Sequence, residues 1–139
     1  MPEEPGTDGP DVFAAWPITR TAKVLVVDDE RRLTDSTVAI LRLHGYSARG
    51  AYSGQAGIEA ARAFRPNVVF MDVLMPDMDG VEAAREIRAE MPGLVVALIS
   101  GQNFAFDLVR QAERERFHLL LKPVEPAKLL DKLAEWGAS

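Results

Sequence analysis

The chain has no cysteine and only two histidines, His44 and His118. Neither a thiolate nor a paired-imidazole zinc site is therefore available, and no disulfide framework holds the fold together. No apolar run comes near the roughly 20 residues that span a bilayer. The opening Pro2-Glu3-Glu4 lacks the basic, then apolar, order of an export signal. Basic residues are outnumbered and scattered: 16 Lys and Arg stand against 21 Asp and Glu, a formal net charge of -5, with no stripe to neutralise a run of phosphates. Together these absences predict a cytoplasmic protein with no membrane and no direct nucleic-acid partner.

What is present is enough for one domain. With 139 residues, 47% hydrophobic and 27% charged, the chain has the size and composition of a single globular unit and not of a disordered or fibrous one. Residues 1–20, rich in Pro, Gly, Asp and Glu, read as a flexible N-terminal extension, and residues 21–139 as the domain. Inside the extension, Val12-Phe13-Ala14-Ala15-Trp16 is apolar, which suits either a loosely packed arm or a docking segment.

From Lys23 onward, strand-like runs alternate with helix-like stretches five times, the pattern of a parallel sheet covered by helices. The fold class predicted is α/β: a doubly wound, five-stranded parallel sheet with helices on both faces. Val24 to Val27, Val68 to Met71 and Leu94 to Ile99 are continuous apolar runs rich in β-branched residues, as a sheet buried on both faces requires. Tyr46 to Ala51 and Phe117 to Leu121 carry weaker strand signals. Helices are predicted to start near Glu30, Gly54, Asp79, Phe104 and Pro126. The first presents Leu33, Thr37, Ile40, Leu41 and His44 as its inward stripe and stops at Gly45. The second is capped by Ser53 and ends before Pro66. The fifth turns Leu129, Leu130 and Leu133 inward.

In open α/β sheets, ligands bind beyond the carboxyl ends of the strands, where strand order reverses. The predicted strands end there in Asp28-Asp29-Glu30, Asp72, Ser100-Gly101 and Lys122-Pro123. Each is a polar group directly after an apolar run, where packing alone would not ask for one. If the chain leaves strand geometry after Val27, Asp28 and Asp29 both reach the crevice and crowd Asp72. A like-charge pair at about 4 Å costs about 4 kcal/mol at an effective dielectric near 20, so the cluster needs a cation or a proton. Oxygen ligands, too few for a closed cage, suit Mg2+. A carboxylate nucleophile, a metal, a lysine ammonium and a hydroxyl together make the parts of a phosphoryl-transfer site.

The block Val24-Leu25-Val26-Val27-Asp28-Asp29-Glu30, the run Met71-Asp72-Val73-Leu74-Met75-Pro76-Asp77-Met78-Asp79-Gly80, the pair Ser100-Gly101 and Leu121-Lys122-Pro123 resemble the signature regions of response-regulator receiver domains. The likeness spans Thr21 to Trp136. It implies a flavodoxin-like fold and a two-component signalling switch, not an enzyme turning over small molecules. At the matching positions it implies that Asp72 takes a phosphoryl group from a sensor histidine kinase or phosphotransfer protein. Asp28, Asp29, Asp72 and the backbone carbonyl of Leu74 would hold Mg2+, Asp28 through water. Lys122 would pair with the phosphate, Ser100 would hydrogen-bond one of its oxygens, and Gly101 would let the backbone approach it closely. The changed surface, between Asn103 and Trp136, would then meet a downstream protein target, a fused output domain or a second copy in a homodimer.

The chain departs from the receiver pattern at Leu119, where the family commonly has an aromatic switch residue; Phe117 lies on the same strand face, one step further from the site. Leu74 and Gln102 occupy two positions thought to tune dephosphorylation in the family. Arg110, Arg114 and Arg116 suit either a partner-binding or a solvated helix face. Phe104 and Phe106 suit either core or contact. His44 and His118 read as structural residues, and Trp136 as closing the last helix onto the body. Three rival functions share parts of this pattern: a degenerate receiver acting as a phosphorylation-independent interaction module, a phosphatase of the haloacid dehalogenase type, and an FMN carrier. The intact acceptor, metal and lysine positions disfavour the first. The missing Thr of Asp-x-Asp-x-Thr after the first strand disfavours the second, and the acidic loop disfavours the third.

Overall fold

The computed structural model describes residues 22–101 and 105–137. The predictions made for residues 1–20, and those for Gln102, Asn103 and Phe104, lie outside the described residues. Five strands, β1 (Lys23–Val27), β2 (Ser47–Ala51), β3 (Val68–Asp72), β4 (Val95–Ser100) and β5 (His118–Leu121), alternate with five helices. The helices are α1 (Arg31–Leu43), α2 (Gly54–Phe64), α3 (Gly80–Glu90), α4 (Ala105–Glu115) and α5 (Pro126–Gly137). All strand pairings are parallel and the spatial order is β2-β1-β3-β4-β5. The doubly wound sheet predicted from the alternation is the fold observed.

Side chains alternate across a strand, so each central strand feeds two cores. Leu25, Val27, Val69, Met71, Val96 and Leu98 point to one face and pack with Ile58, Ala61, Ala83, Ala84, Ile87, Leu108 and Ala112 of α2, α3 and α4. Val24, Val26, Val68, Phe70, Ala97 and Leu120 point to the other, against Val38 and Leu41 of α1 and Leu129 and Leu133 of α5. This two-sided burial explains why β1 and β3 read as continuous apolar runs.

The helix boundaries follow local chemistry. Gly45 takes φ +97 after α1, a conformation strained for other residues. Ser53 accepts the Ala56 amide at 3.0 Å as the cap of α2, and Arg65 closes that helix in the left-handed region just before Pro66. Trp136 lies with its ring 5.9 Å from Phe70 and stacks on His118 at 4.5 Å, so it does close α5 onto the sheet. No helix among the described residues is long and apolar enough to cross a membrane.

The inward stripe of α1 differs from the prediction. Its buried residues are Thr34, Thr37, Val38 and Leu41, while Leu33 is 41% exposed and His44 lies at the surface. Thr34 takes the interior position because its hydroxyl donates to the Asp28 carbonyl at 2.9 Å, which satisfies the polar group on burial. Gly50 makes room for it: a Cβ there would lie 2.6 Å from the Thr34 methyl.

Candidate functional site

The strand order reverses between β1 and β3, so the chain leaves these neighbours toward opposite sides and opens a crevice at their carboxyl ends. Strand pairing of β1 ends at Val27. Asp28 still donates its amide to the Ala51 carbonyl at 3.1 Å, but its side chain folds back to accept the Glu30 amide at 3.0 Å. This local turn frees Asp28 and Asp29 from strict alternation. One carboxylate oxygen from each of them and one from Asp72, the last residue of β3, lie within 4.8 Å of one another.

Acidic groups cluster on many surfaces, but here burial makes the cluster costly. Asp28 and Asp72 are only 7% and 3% exposed, while Asp29 faces solvent. Burial pushes the Asp72 carboxyl above the ordinary carboxylate range; the hydrogen bond from Lys122 pulls it down, and the charge of Asp28 pushes it up again. Asp28 is likewise raised by burial, against the pull of the Glu30 amide. Lys122, which follows β5, sets its Nζ 3.1 Å from Asp72 Oδ1. Burial works against the charge of Lys122, yet the bond to Asp72 and the nearby acids outweigh it and raise its pKa. Three acids facing one ammonium leave excess negative charge, and all-oxygen donors with room for water fit a hard cation such as Mg2+.

Ser100, the last residue of β4, is buried, and its hydroxyl donates to the Gly101 carbonyl at 3.1 Å. The Lys122 amide donates to the Ser100 carbonyl at 2.7 Å, which ties the ends of β4 and β5 together beside Asp72. Among the described residues, a Cβ on Gly101 would meet no atom within 4 Å, so none of them calls for glycine there. The Leu74 side chain is 61% exposed on the loop after β3. Gly80, which in the sequence only ends the run Met71 to Gly80, has a packing reason of its own: its Cβ would fall 2.0 Å from the Asp72 carbonyl oxygen. That contact could not be read locally, because nothing in the run itself shows α3 starting against the backbone of Asp72.

Beside the crevice a cavity of about 450 Å³ opens between α1 and α5, lined by Leu33, Thr37, Ile99, Val124, Leu129 and Lys122. Leu33 is thus a wall of this cavity instead of a core residue. On the opposite face of the sheet, Phe117 is buried and the Arg88 guanidinium lies 4.8 Å from its ring, with Leu119 partly buried on the same side. Arg88 also donates to the carbonyls of Glu115 and Arg116, and Arg85 binds Glu115 through a two-pronged pair at 2.7 Å. Phe106 is 71% exposed, with Arg110 over its ring, so it belongs to the surface.

Comparison with known proteins agrees with this geometry. The sequence profile of the response regulator receiver domain matches residues 24–134. The probable transcriptional regulatory protein TcrX of Mycobacterium tuberculosis is 41% identical over 86 residues, which cover 62% of this chain and 37% of that protein. The DNA-binding response regulator MtrA of Mycobacterium bovis is 27% identical over 115 residues, covering 83% of this chain and 50% of that protein. The chain therefore spans half or less of the length of these relatives. Among solved structures, a CheY-like receiver domain protein from Methanospirillum hungatei aligns with a TM-score of 0.79 at 26% identity, over 85% of this chain and 94% of that one. The chemotaxis protein CheY4 of Vibrio cholerae aligns with a TM-score of 0.75 at 25% identity, over 83% and 98%. The relatives' names correct the scope of one expectation: the absence of a nucleic-acid partner was argued from the charge of these 139 residues, and MtrA is named as DNA-binding.

Proposed function

This chain belongs to the response regulator receiver domain family of two-component signalling, and from that premise we propose that it is a phosphorylation switch whose acceptor is Asp72. The observation that carries the proposal is the buried Asp72 carboxylate, 3.1 Å from Lys122 and grouped with Asp28 and Asp29. A carboxylate oxygen of Asp72 attacks the phosphorus of a phosphohistidine on a sensor histidine kinase or phosphotransfer protein. The P–O bond forms as the P–N bond breaks, and the imidazole nitrogen leaves with the electron pair and takes up a proton.

Asp28, Asp29, Asp72 and the Leu74 carbonyl are the residues that would hold Mg2+. When bound, the ion neutralises the acids and the phosphoryl oxygens. Lys122 sits where its ammonium offsets charge on the transferred group, and Ser100 would exchange its bond to the Gly101 carbonyl for one to a phosphoryl oxygen. The added charge and acceptor oxygens then draw on both strand ends at once, since the Lys122 amide is bound to Ser100. The output face is proposed on α4, β5 and α5, where Phe106, Val109 and Leu121 are exposed. Its partner is a downstream protein, an output domain or a second copy.

The test is incubation with acetyl phosphate and Mg2+ followed by intact mass measurement. A phosphate-sized gain is expected, lost with EDTA and with Asp72→Asn. A gain that persists in the Asn variant overturns the assignment.

A further inference from the structure

Asp77 stands in the loop between β3 and α3, yet its carboxylate leaves that loop. Oδ1 accepts the Gly54 amide at 3.0 Å and Oδ2 accepts the Gln55 amide at 2.9 Å, both in the first turn of α2. Ser53 takes the Ala56 amide, so Ser53 and Asp77 share the amides of that turn between two segments of the chain. The same contact is reinforced by packing: a Cβ on Gly54 would lie 2.3 Å from Met78 Cγ, which shows how closely the loop presses on the helix start. At its base the loop is held by the Val73 amide on the Ile99 carbonyl at 3.0 Å and by the Gly80 amide on the Val73 carbonyl at 2.8 Å. Asp79 caps α3 through the Val81 amide at 2.8 Å. Asp77 is therefore the far anchor of a loop whose near end is Asp72.

We infer that Asp77 is a positioning residue for the acceptor site, clamping the loop that carries Leu74 against α2 and so setting the affinity for Mg2+. The inference rests on the proposed reading of Asp72 as a Mg2+-dependent acceptor. A carbonyl can serve a metal only if its loop is fixed; Leu74, Pro76 and Asp77 are exposed on this loop while Met75 and Met78 pack partly buried against the core, so the loop is held by those two side chains together with the Asp77 clamp. A charged carboxylate on two adjacent amides at the positive end of a helix makes a firm, directional clamp. The amides of Gln55 and Gly54 also hold the Asp77 carboxyl below the ordinary range, so the clamp stays ionised at neutral pH. The side chain does not reach the acid cluster through any bond of its own; it acts through the loop.

The experiment is a Mg2+ titration of the initial rate of acetyl phosphate labelling, read by intact mass, for the natural chain, Asp77→Ala and Asp77→Asn, with thermal unfolding of each. Expected in Asp77→Ala is a half-saturating Mg2+ concentration raised about fivefold, the loss of roughly one good hydrogen bond's worth of positioning, with the rate at saturating Mg2+ within about twofold. Asp77→Asn, which keeps one acceptor oxygen, falls between. Unchanged half-saturation with a lower melting temperature makes Asp77 a helix cap alone and overturns the inference. Equal shifts in the Ala and Asn variants that vanish at high ionic strength also overturn it, because long-range charge on the Mg2+ site and not the loop clamp would then carry the effect. A natural chain that takes no label at any Mg2+ concentration instead removes the acceptor reading, and this inference with it.

Discussion

The Lys122 ammonium lies 3.1 Å from Asp72 Oδ1, joining the ends of two strands that are not neighbours in the sheet. β4 lies between them, and its last residue, Ser100, is tied to the Lys122 backbone. One ammonium thus faces three acids, and the balance of charge at the crevice depends on it.

Removing that ammonium relieves the competition for Asp72. Lys122→Met frees Oδ1 and removes a positive charge beside the proposed metal position, so Mg2+ is expected to bind about fivefold tighter. Isothermal titration with Mg2+ measures it, and weaker binding in the variant would show that Lys122 organises the acids instead of competing for them.

The pH dependence follows from the raised carboxyls. Burial lifts Asp28 and Asp72 above the ordinary value of 3.8, so in this range the folded chain holds protons that the unfolded chain has lost. Their effect on stability is therefore most favourable in acid and declines as pH rises from 3.8 through the raised folded-state values, levelling off above them. In EDTA at neutral pH, Asp28→Asn, which keeps an acceptor for the Glu30 amide, should raise stability, seen as a higher melting temperature than that of the natural chain. Added Mg2+ should stabilise the natural chain at neutral pH and lose that effect as the acids protonate. Thermal unfolding with and without Mg2+ across pH decides it; a Mg2+ effect that persists after protonation would place the ion elsewhere.

Gly80 is a packing requirement. In Gly80→Ala the new methyl would stand 2.0 Å from the Asp72 carbonyl oxygen, a backbone atom that cannot swing aside. A loss of roughly 2–4 kcal/mol is expected in denaturant unfolding, together with loss of acetyl phosphate labelling, since α3 must move away from the acceptor strand. Full labelling at unchanged stability would show that the loop accommodates the methyl freely.

The sheet was legible because β1, β3 and β4 are apolar on both faces, and because a polar residue follows each run at the same end. Hence Asp28, Asp29, Asp72, Ser100 and Lys122 could be assembled on paper, and they meet in the structure. What could not be read depends on partners distant in sequence. Hydrophobicity alone put Leu33 inside α1, whereas the Asp28 carbonyl gives Thr34 a reason to be buried. Asp77 stood in the sequence only as one residue of the run Met71 to Gly80, and its bonds to the Gly54 and Gln55 amides appear only once α2 is beside it. Phe117 shares a side with Leu119, as alternation indicates, but its burial beneath Arg88 is a tertiary event.

The proposal that Asp72 takes the phosphoryl group is tested most directly by chemical mapping. Borohydride reduces an acyl phosphate of aspartate to homoserine, so the chain labelled with acetyl phosphate and Mg2+, reduced and digested, reports the acceptor by peptide mass. Homoserine at position 72 alone is the expected result. Homoserine at position 28 or 29, or none in a chain that has gained the mass of phosphate, would contradict the assignment of Asp72.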